Sequence, residues 1–224
     1  MQAIVTGASR GLGLALARTL SEKGWRVVVD ARHEDALERE VGGLDGVVAV
    51  VGDVSDPDHR RRLVEAAGDS IDLLVNNASV LGPSPQPVLA DYPLETLRRV
   101  YEVNVLAPLA LVQLALPRLA DGARVLNITS DAAVEAYETW GGYGSSKAAL
   151  AQITAVLGAE NPGFRFFAVD PGDMRTQMHQ EAFPGEDISD RPPPEESVPG
   201  FLRLIEGNAP SGLFSVRDLV EAST

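Results

Sequence analysis

Short, nearly continuous apolar runs alternate with longer stretches of helical period along most of this chain. The runs are Ala3–Thr6, Arg26–Asp30, Val47–Val51, Asp72–Asn76, Arg124–Thr129 and Phe164–Asp170. Their length and β-branched content predict strands. Between them, Gly13–Lys23, Asp35–Val41, Asp58–Ala67, Leu94–Leu119 and Ser145–Ala159 carry the helical pattern, and Leu213–Val216 reads as a short further strand. Strands that are apolar throughout bury both faces, which is the pattern of a parallel sheet covered by helices on each side. Right-handed crossovers then wind such units into a doubly wound α/β sheet of about seven strands. One domain over residues 1–224 accommodates the whole pattern. One stretch breaks it: residues 180–199 are rich in Pro, Glu and Asp, including Pro192-Pro193-Pro194. The reading is either a mobile surface loop or a substrate lid, with 177–210 as the expected substrate-binding region.

Composition narrows the chemistry. At 224 residues and 45% apolar content, the chain buries a core without staples. It has no cysteine, which removes disulfides, thiolate zinc sites and cysteine nucleophiles. No metal site is expected. No apolar run approaches the roughly 20 residues of a membrane span, and the N-terminus runs directly into a strand, so no membrane association and a cytoplasmic location are expected. A net charge of −13 argues against a nucleic-acid partner. Lys23 and Lys147 are the two lysines in a chain that otherwise uses arginine. That singles out Lys147 as a place where a compact ammonium is wanted.

Thr6-Gly7-Ala8-Ser9-Arg10-Gly11-Leu12-Gly13 follows the first strand and opens the first helix. Glycines there allow a tight turn and let backbone approach a pyrophosphate, whose charge meets the helix N-terminus. The same residues spell G-x-S-x-G, the nucleophile elbow of α/β-hydrolases. That turn normally follows several strands, and its triad needs a histidine after the serine. Here one strand precedes it, and His33, His59 and His179 sit at no clear strand end near the C-terminus. The G-x-x-x-G-x-G spacing of Gly7, Gly11 and Gly13 instead resembles the glycine motif of the classical short-chain dehydrogenase/reductase family, which implies a Rossmann-type fold.

The resemblance extends along most of the chain, from Ala3 to about Thr176. Aligned on the glycine motif, the family's NAD-selecting acid falls at Ala31, and Arg32 takes the place of the arginine that meets a 2′-phosphate. Arg10 supplies a second cation. NADP(H) is therefore favoured, with NAD(H) kept open by Asp30. Gly52-Asp53-Val54 is similar to the family's adenine contact, through the Asp53 carboxylate and the Val54 amide. Asn76-Asn77-Ala78-Ser79 is similar to N-N-A-G, with Ser79 in place of the final glycine, and implies contacts at Asn76 and Ala78. Pro171, Gly172 and Thr176, within Asp170-Pro171-Gly172-Asp173-Met174-Arg175-Thr176, resemble the P-G-x-x-x-T segment that packs on nicotinamide and bonds its carboxamide. The implied cofactor set is Gly7, Ser9, Arg10, Gly11, Leu12, Gly13, Arg32, Asp53, Val54, Asn76, Ala78, Tyr143, Lys147, Pro171, Gly172 and Thr176.

Hydride transfer to a carbonyl needs a proton donor for the developing alkoxide. Tyr143 and Lys147 stand four apart, on one face of a helix. A phenol with its ordinary pKa of about 10 is a poor catalyst at neutral pH, and a nearby ammonium is expected to lower it. Ser130 ends a strand thirteen residues before Tyr143, the family's serine-to-tyrosine interval. Asn104, in Tyr101-Glu102-Val103-Asn104-Val105, resembles the asparagine that completes its tetrad. The resemblance implies these roles: Tyr143 as general acid or base, Ser130 holding the substrate oxygen, Lys147 binding ribose hydroxyls and tuning Tyr143, and Asn104 positioning a water in a proton relay.

The function implied is interconversion of a small carbonyl compound and its alcohol. A non-catalytic NAD(P)-binding sensor would not need Ser130, Tyr143 and Lys147 in this spacing. An extended-branch epimerase or dehydratase would carry a longer C-terminal region. Tyr137, Trp140, Met174, Met178 and Phe183 are candidates for an apolar substrate wall. Family members assemble through the helices that fall here at Leu94–Leu119 and Ser145–Ala159, so a homodimer or homotetramer is expected.

Overall fold

The computed structural model describes residues 1–221. Strands β1 (Gln2–Val5), β2 (Arg26–Ala31), β3 (Val47–Val51), β4 (Ile71–Asn76), β5 (Leu119–Ile128), β6 (Arg165–Asp170) and β7 (Gly212–Ser215) form one sheet of order β3-β2-β1-β4-β5-β6-β7. Every neighbouring pair is parallel. The direction of winding reverses between β1 and β4, so a crevice opens where their carboxyl ends diverge.

Alternation along the strands builds two apolar layers. Ala3, Val5, Val27, Val29, Leu73, Val75, Leu126 and Phe167 face one layer. There they pack on α1 (Gly11–Glu22), α2 (Glu34–Val41) and α8 (Val198–Glu206). Ile4, Val28, Leu74, Val125 and Phe166 face the other, against α3 (Pro57–Ala67) and α5 (Ala107–Ala115). Each fully buried Leu, Val or Phe contributes about 1.5–3 kcal/mol relative to exposure. The remaining helices are α4 (Leu94–Tyr101), α6 (Gly141–Glu160), α7 (Gln177–Ala182) and α9 (Val216–Glu221).

Most predicted elements end within two residues of those observed, and the exceptions have physical causes. β5 starts at Leu119 rather than Arg124, because its pairing with β4 shifts register between Ile71 and Leu73. The helix expected over Leu94–Leu119 is broken into α4, a π-helical turn over Glu102–Leu106, α5 and a 3-10 turn over Leu116–Arg118. Pro108 has no N–H for the carbonyl four residues back, that of Asn104, so regular α-helical bonding fails at this point. The stretch Leu94–Arg118 has a mean hydropathy of 1.5 over its most apolar window, long and apolar enough to cross a membrane by composition. Half of that window is buried in the fold, as in a core helix. α6 begins four residues earlier than expected and carries Tyr143 in its first turn.

The segment 177–210 is only partly loop. Its first helix, α7, borders the crevice. α8 inserts Val198, Phe201, Leu204 and Ile205 into the first apolar layer. Phe201 is fully buried, so Phe201→Ala is expected to lower unfolding free energy by ~3–5 kcal/mol in urea titration. A loss under ~1 kcal/mol, the level of an ordinary surface change, would mean that α8 is peripheral.

Candidate active site

The carboxyl ends of the strands border a continuous cleft of about 1020 Å³. Its first end is built around the turn after β1. Gly7 has φ +69°, and a Cβ there would lie 2.9 Å from the Ala78 Cα. A Cβ on Gly13 would lie 2.5 Å from the Gly7 carbonyl oxygen. The turn therefore closes only with hydrogen at both positions. Thr6 Oγ1 accepts from the amides of Asn77 and Ala78, both at 3.0 Å. Asn77 Nδ2 donates to the carbonyls of Thr6 (2.8 Å) and Gly7 (3.1 Å). At the start of α1, Arg10 provides no side-chain cap, which leaves the first-turn amides as orphan donors beside the cleft. An anionic group fits such a cradle.

Asp30 lines the cleft, but its carboxylate is already engaged. Its Oδ1 accepts from the Gly7 amide at 2.6 Å and its Oδ2 meets His59 Nε2 at 2.8 Å. Both side chains are buried. Burial pushes the Asp30 carboxyl above its ordinary value, opposed by the hydrogen bonds from His59 and Gly7. Arg32 is exposed at the rim, and Arg10 and Arg39 also border the cleft. Arg10 hydrogen-bonds Gln177 at the start of α7.

The other expected nucleotide contacts are placed as follows. Ser9, Gly11, Leu12, Asp53, Val54, Ala78, Pro171, Gly172 and Thr176 border the cleft. Asp53 accepts from the amide and hydroxyl of Ser55 and from Arg99 at 2.6 Å. Partial burial pushes its carboxyl up, but these donors outweigh it and hold it below its ordinary value. Thr176 caps α7, accepting from the His179 amide at 3.2 Å. Asn76 lies elsewhere: it is buried, donating to Asn127 Oδ1 at 2.8 Å beneath the sheet, and does not border the cleft. Strand alternation turns Asn76 inward and leaves Asn77 to hold the glycine turn.

At the second end, Ser130, Tyr143 and Lys147 come together on the cleft wall. Ser130 Oγ donates to Asp131 Oδ1 at 2.8 Å. Lys147 is buried, donates to the Ile128 carbonyl at 2.8 Å and lies 5.4 Å from the Tyr143 ring centroid. Burial pushes the Lys147 ammonium down to about 7. The Tyr143 phenol moves opposite to the expectation from sequence. Burial drives it well above its ordinary value, and the carboxylates of Asp170 and Asp131 add to this, against a hydrogen bond with Ser79.

Asn104 sits in the π-turn with its amide saturated. Oδ1 accepts from Ser79 Oγ (3.1 Å) and the Val80 amide (2.9 Å), while Nδ2 donates to the Val80 carbonyl (2.9 Å) and Ser146 Oγ (3.0 Å). Two acceptor sites and two donors are all that an amide offers. The side chain has no bond left for a water. It ties the segment after β4 to the helix of Tyr143.

Residues not picked out from sequence complete this end. Ser79 bridges Asn104 and Tyr143 in a way the family's glycine cannot. The Tyr92 ring fills the space between Gly82 and Gly142; a Cβ would lie 2.2 Å from its hydroxyl at Gly82 and 2.3 Å from its ring at Gly142. Trp140 meets Tyr143 edge-on at 5.9 Å and Phe183 at 5.7 Å. Met178 and Ala182 of α7 pack with Leu81 and Ala132 around Tyr143. Among the described residues, no cluster of His, Asp and Glu is arranged to hold a metal.

Fold and cleft are those of an oxidoreductase of the Rossmann type. The profile of the short chain dehydrogenase family matches residues 1–187, and the chain belongs to that family. It is a dehydrogenase/reductase acting between CH–OH and C=O. A 1-deoxy-11-beta-hydroxypentalenate dehydrogenase of Streptomyces exfoliatus is 36% identical over 190 residues, 80% of this chain and 69% of the relative. The crystal structure of a short chain dehydrogenase from Salmonella enterica serovar Typhi is similar with a TM-score of 0.87 at 26% identity, over 96% of this chain and 95% of that one. A short chain dehydrogenase from Burkholderia cenocepacia, solved in complex with NADP, is similar with a TM-score of 0.82 at 26% identity, over 96% and 95%.

The Lys147 shift has a measurable sign. Between about 7 and its ordinary 10.5, the folded chain holds this lysine neutral while the unfolded chain protonates it. The unfolded state then binds more protons, so this lysine's contribution to stability rises with pH across that window and is flat below it. Denaturation of the wild type and Lys147→Met at pH 6, 8 and 9.5 is expected to show their difference moving in favour of the wild type. A constant offset would show that Lys147 titrates normally.

Proposed function

We propose that this protein reduces a small, uncharged carbonyl compound to its alcohol with NADPH. The observation that carries the reading is the single cleft that joins an uncapped glycine turn flanked by Arg10 and Arg32 to a buried Tyr143–Lys147 pair. The engagement of Asp30 with Gly7 and His59 supports NADP(H) over NAD(H). With that carboxylate held inward, the charges at the end of β2 are cationic and suit a 2′-phosphate dianion.

Bound NADPH supplies the hydride. Tyr143 holds the proton for the oxygen: a phenol kept above its ordinary value stays protonated until an alkoxide develops, which favours the acid role and therefore reduction. Ser130 exchanges its bond to Asp131 for the substrate oxygen and stabilises its growing charge. Lys147 lies under the tyrosine ring with further donors for the nicotinamide ribose. Asn104 acts as a positioning residue, and any water relay there uses its backbone carbonyl, which Pro108 cannot engage. Pro171, Gly172 and Thr176 would orient the nicotinamide, and Asp53 and Val54 would hold the adenine. Trp140, Phe183, Met174 and Met178 give the substrate an apolar wall. Leu94 and Leu106, exposed on α4 and the π-turn, together with Val156 on α6, support self-association through these helices.

Two measurements test this reading. Tyr143→Phe is expected to cut turnover by a hundredfold or more, on the order of what a positioned acid contributes, with NADPH affinity held within a few-fold. Retained turnover would send the proton elsewhere. Arg32→Ala is expected to weaken NADPH by about tenfold, the scale of one charge-assisted bond, and to leave NADH unchanged. Equal losses for both would remove the 2′-phosphate assignment.

A further inference from the structure

The buried pair Asp30–His59 takes no part in the chemistry above, yet it lies under both loops that would embrace an adenosine. Through β2, Asp30 reaches the first loop, where its carboxylate accepts from the Gly7 amide at 2.6 Å and its backbone carbonyl from the Ala8 amide at 2.9 Å. Through α3, His59 reaches the second loop. Its ring lies so close to Gly52 that a Cβ there would sit 2.2 Å from Nδ1. The next residue, Arg60, donates to the Val54 carbonyl at 2.6 Å. The His59 Nε2–Asp30 Oδ2 bond of 2.8 Å is the side-chain bond that closes this chain between the two loops.

The ring's donating and accepting edges follow from its neighbours. An ionised Asp30 only accepts, so the facing Nε2 must donate. On the opposite edge, Arg62 presents a guanidinium nitrogen 3.3 Å from Nδ1. A guanidinium only donates, so Nδ1 is the edge that accepts and Nε2 the edge that faces the carboxylate. Arg62 at one edge and Asp30 at the other hold the ring in one orientation, and neither His59 nor Arg62 borders the cleft.

We propose that His59 is a positioning residue for the cofactor: by clamping Asp30, it sets the spacing between the Gly7 turn and the Gly52-Asp53-Val54 turn. This rests on the reading of the cleft as a dinucleotide site. The two turns meet parts of the nucleotide that NADPH and NADH share. Loss of the clamp therefore weakens both cofactors by the same factor, unlike loss of Arg32. It also leaves turnover at saturating cofactor, and KM for the carbonyl, unchanged.

The test is direct titration of NADPH and NADH into wild type, His59→Met and His59→Gln, with steady-state kinetics alongside. Methionine fills the space without a donor, whereas the Gln Nε2 takes the place of the ring Nε2. The expected result is at least about tenfold weaker binding of both cofactors for His59→Met, the scale of a lost bond to a buried charge. Saturated kcat should hold, and His59→Gln should return within about threefold. Asp30→Asn, which keeps an acceptor for Gly7 but turns a donor toward the ring, provides the same readout should His59→Met fail to fold, and it too is expected to weaken both cofactors alike. Unchanged affinity in folded His59→Met, or in Asp30→Asn where that stands in, overturns the proposal, as does a loss confined to NADPH or to kcat, or no rescue by glutamine. If the wild type itself binds neither nucleotide, the reading of the cleft fails instead.

Discussion

Close backbone approach at the point where β1 and β4 diverge governs everything built above it. Thr6, Gly7 and Gly13 on one side meet Asn77 and Ala78 on the other with no room for a Cβ at either glycine. The approach is held by one threonine hydroxyl that accepts two amides and one asparagine side chain that donates to two carbonyls. If these contacts open, the first-turn amides of α1 lose their aim. So does the segment after β4, which carries Ser79 and Val80 into the bonds of Asn104. The nucleotide end and the chemical end of the cleft are therefore built on the same few hydrogen bonds.

At the chemical end, low dielectric and local charge act together. Burial moves the tyrosine up and the lysine down, each toward its neutral form, and the carboxylates of Asp131 and Asp170 push the phenol the same way. The unliganded pair thus carries little charge into the interior, which keeps the desolvation penalty small. The proton stays on tyrosine until an alkoxide develops beside it.

Much of this was legible in the sequence. Short apolar runs alternating with helical periods specify a parallel, doubly covered sheet, because no other arrangement buries both faces of so many strands. The glycine turn, Ser130, Tyr143 and Lys147 are tied to strand ends and helical spacing, and periodicity places those well. Failures came where one residue of register or one saturated side chain decides the outcome. Asn76 and Asn77 are chemically identical, and only the pleat of β4 says which faces the cleft. That the Asn104 side chain ties the segment after β4 to α6 shows only when all four of its bonds are traced. His59 and Asp30 lie far apart in sequence and look like surface residues until α3 docks under β2. One signal went unread: Pro108 stands four residues after Asn104, which is enough to locate the break in the long helix.

Tyr92 gives this site a particular evolutionary rigidity. Its ring occupies the only space that Gly82 and Gly142 leave between them, and Gly142 immediately precedes Tyr143. No side chain enters at 82 or 142 while the ring remains, and a smaller residue at 92 leaves a void beneath the turn that carries the phenol. The three positions are locked to one another, so drift at any one of them must pass through an intermediate with either a clash or a cavity under the reacting group.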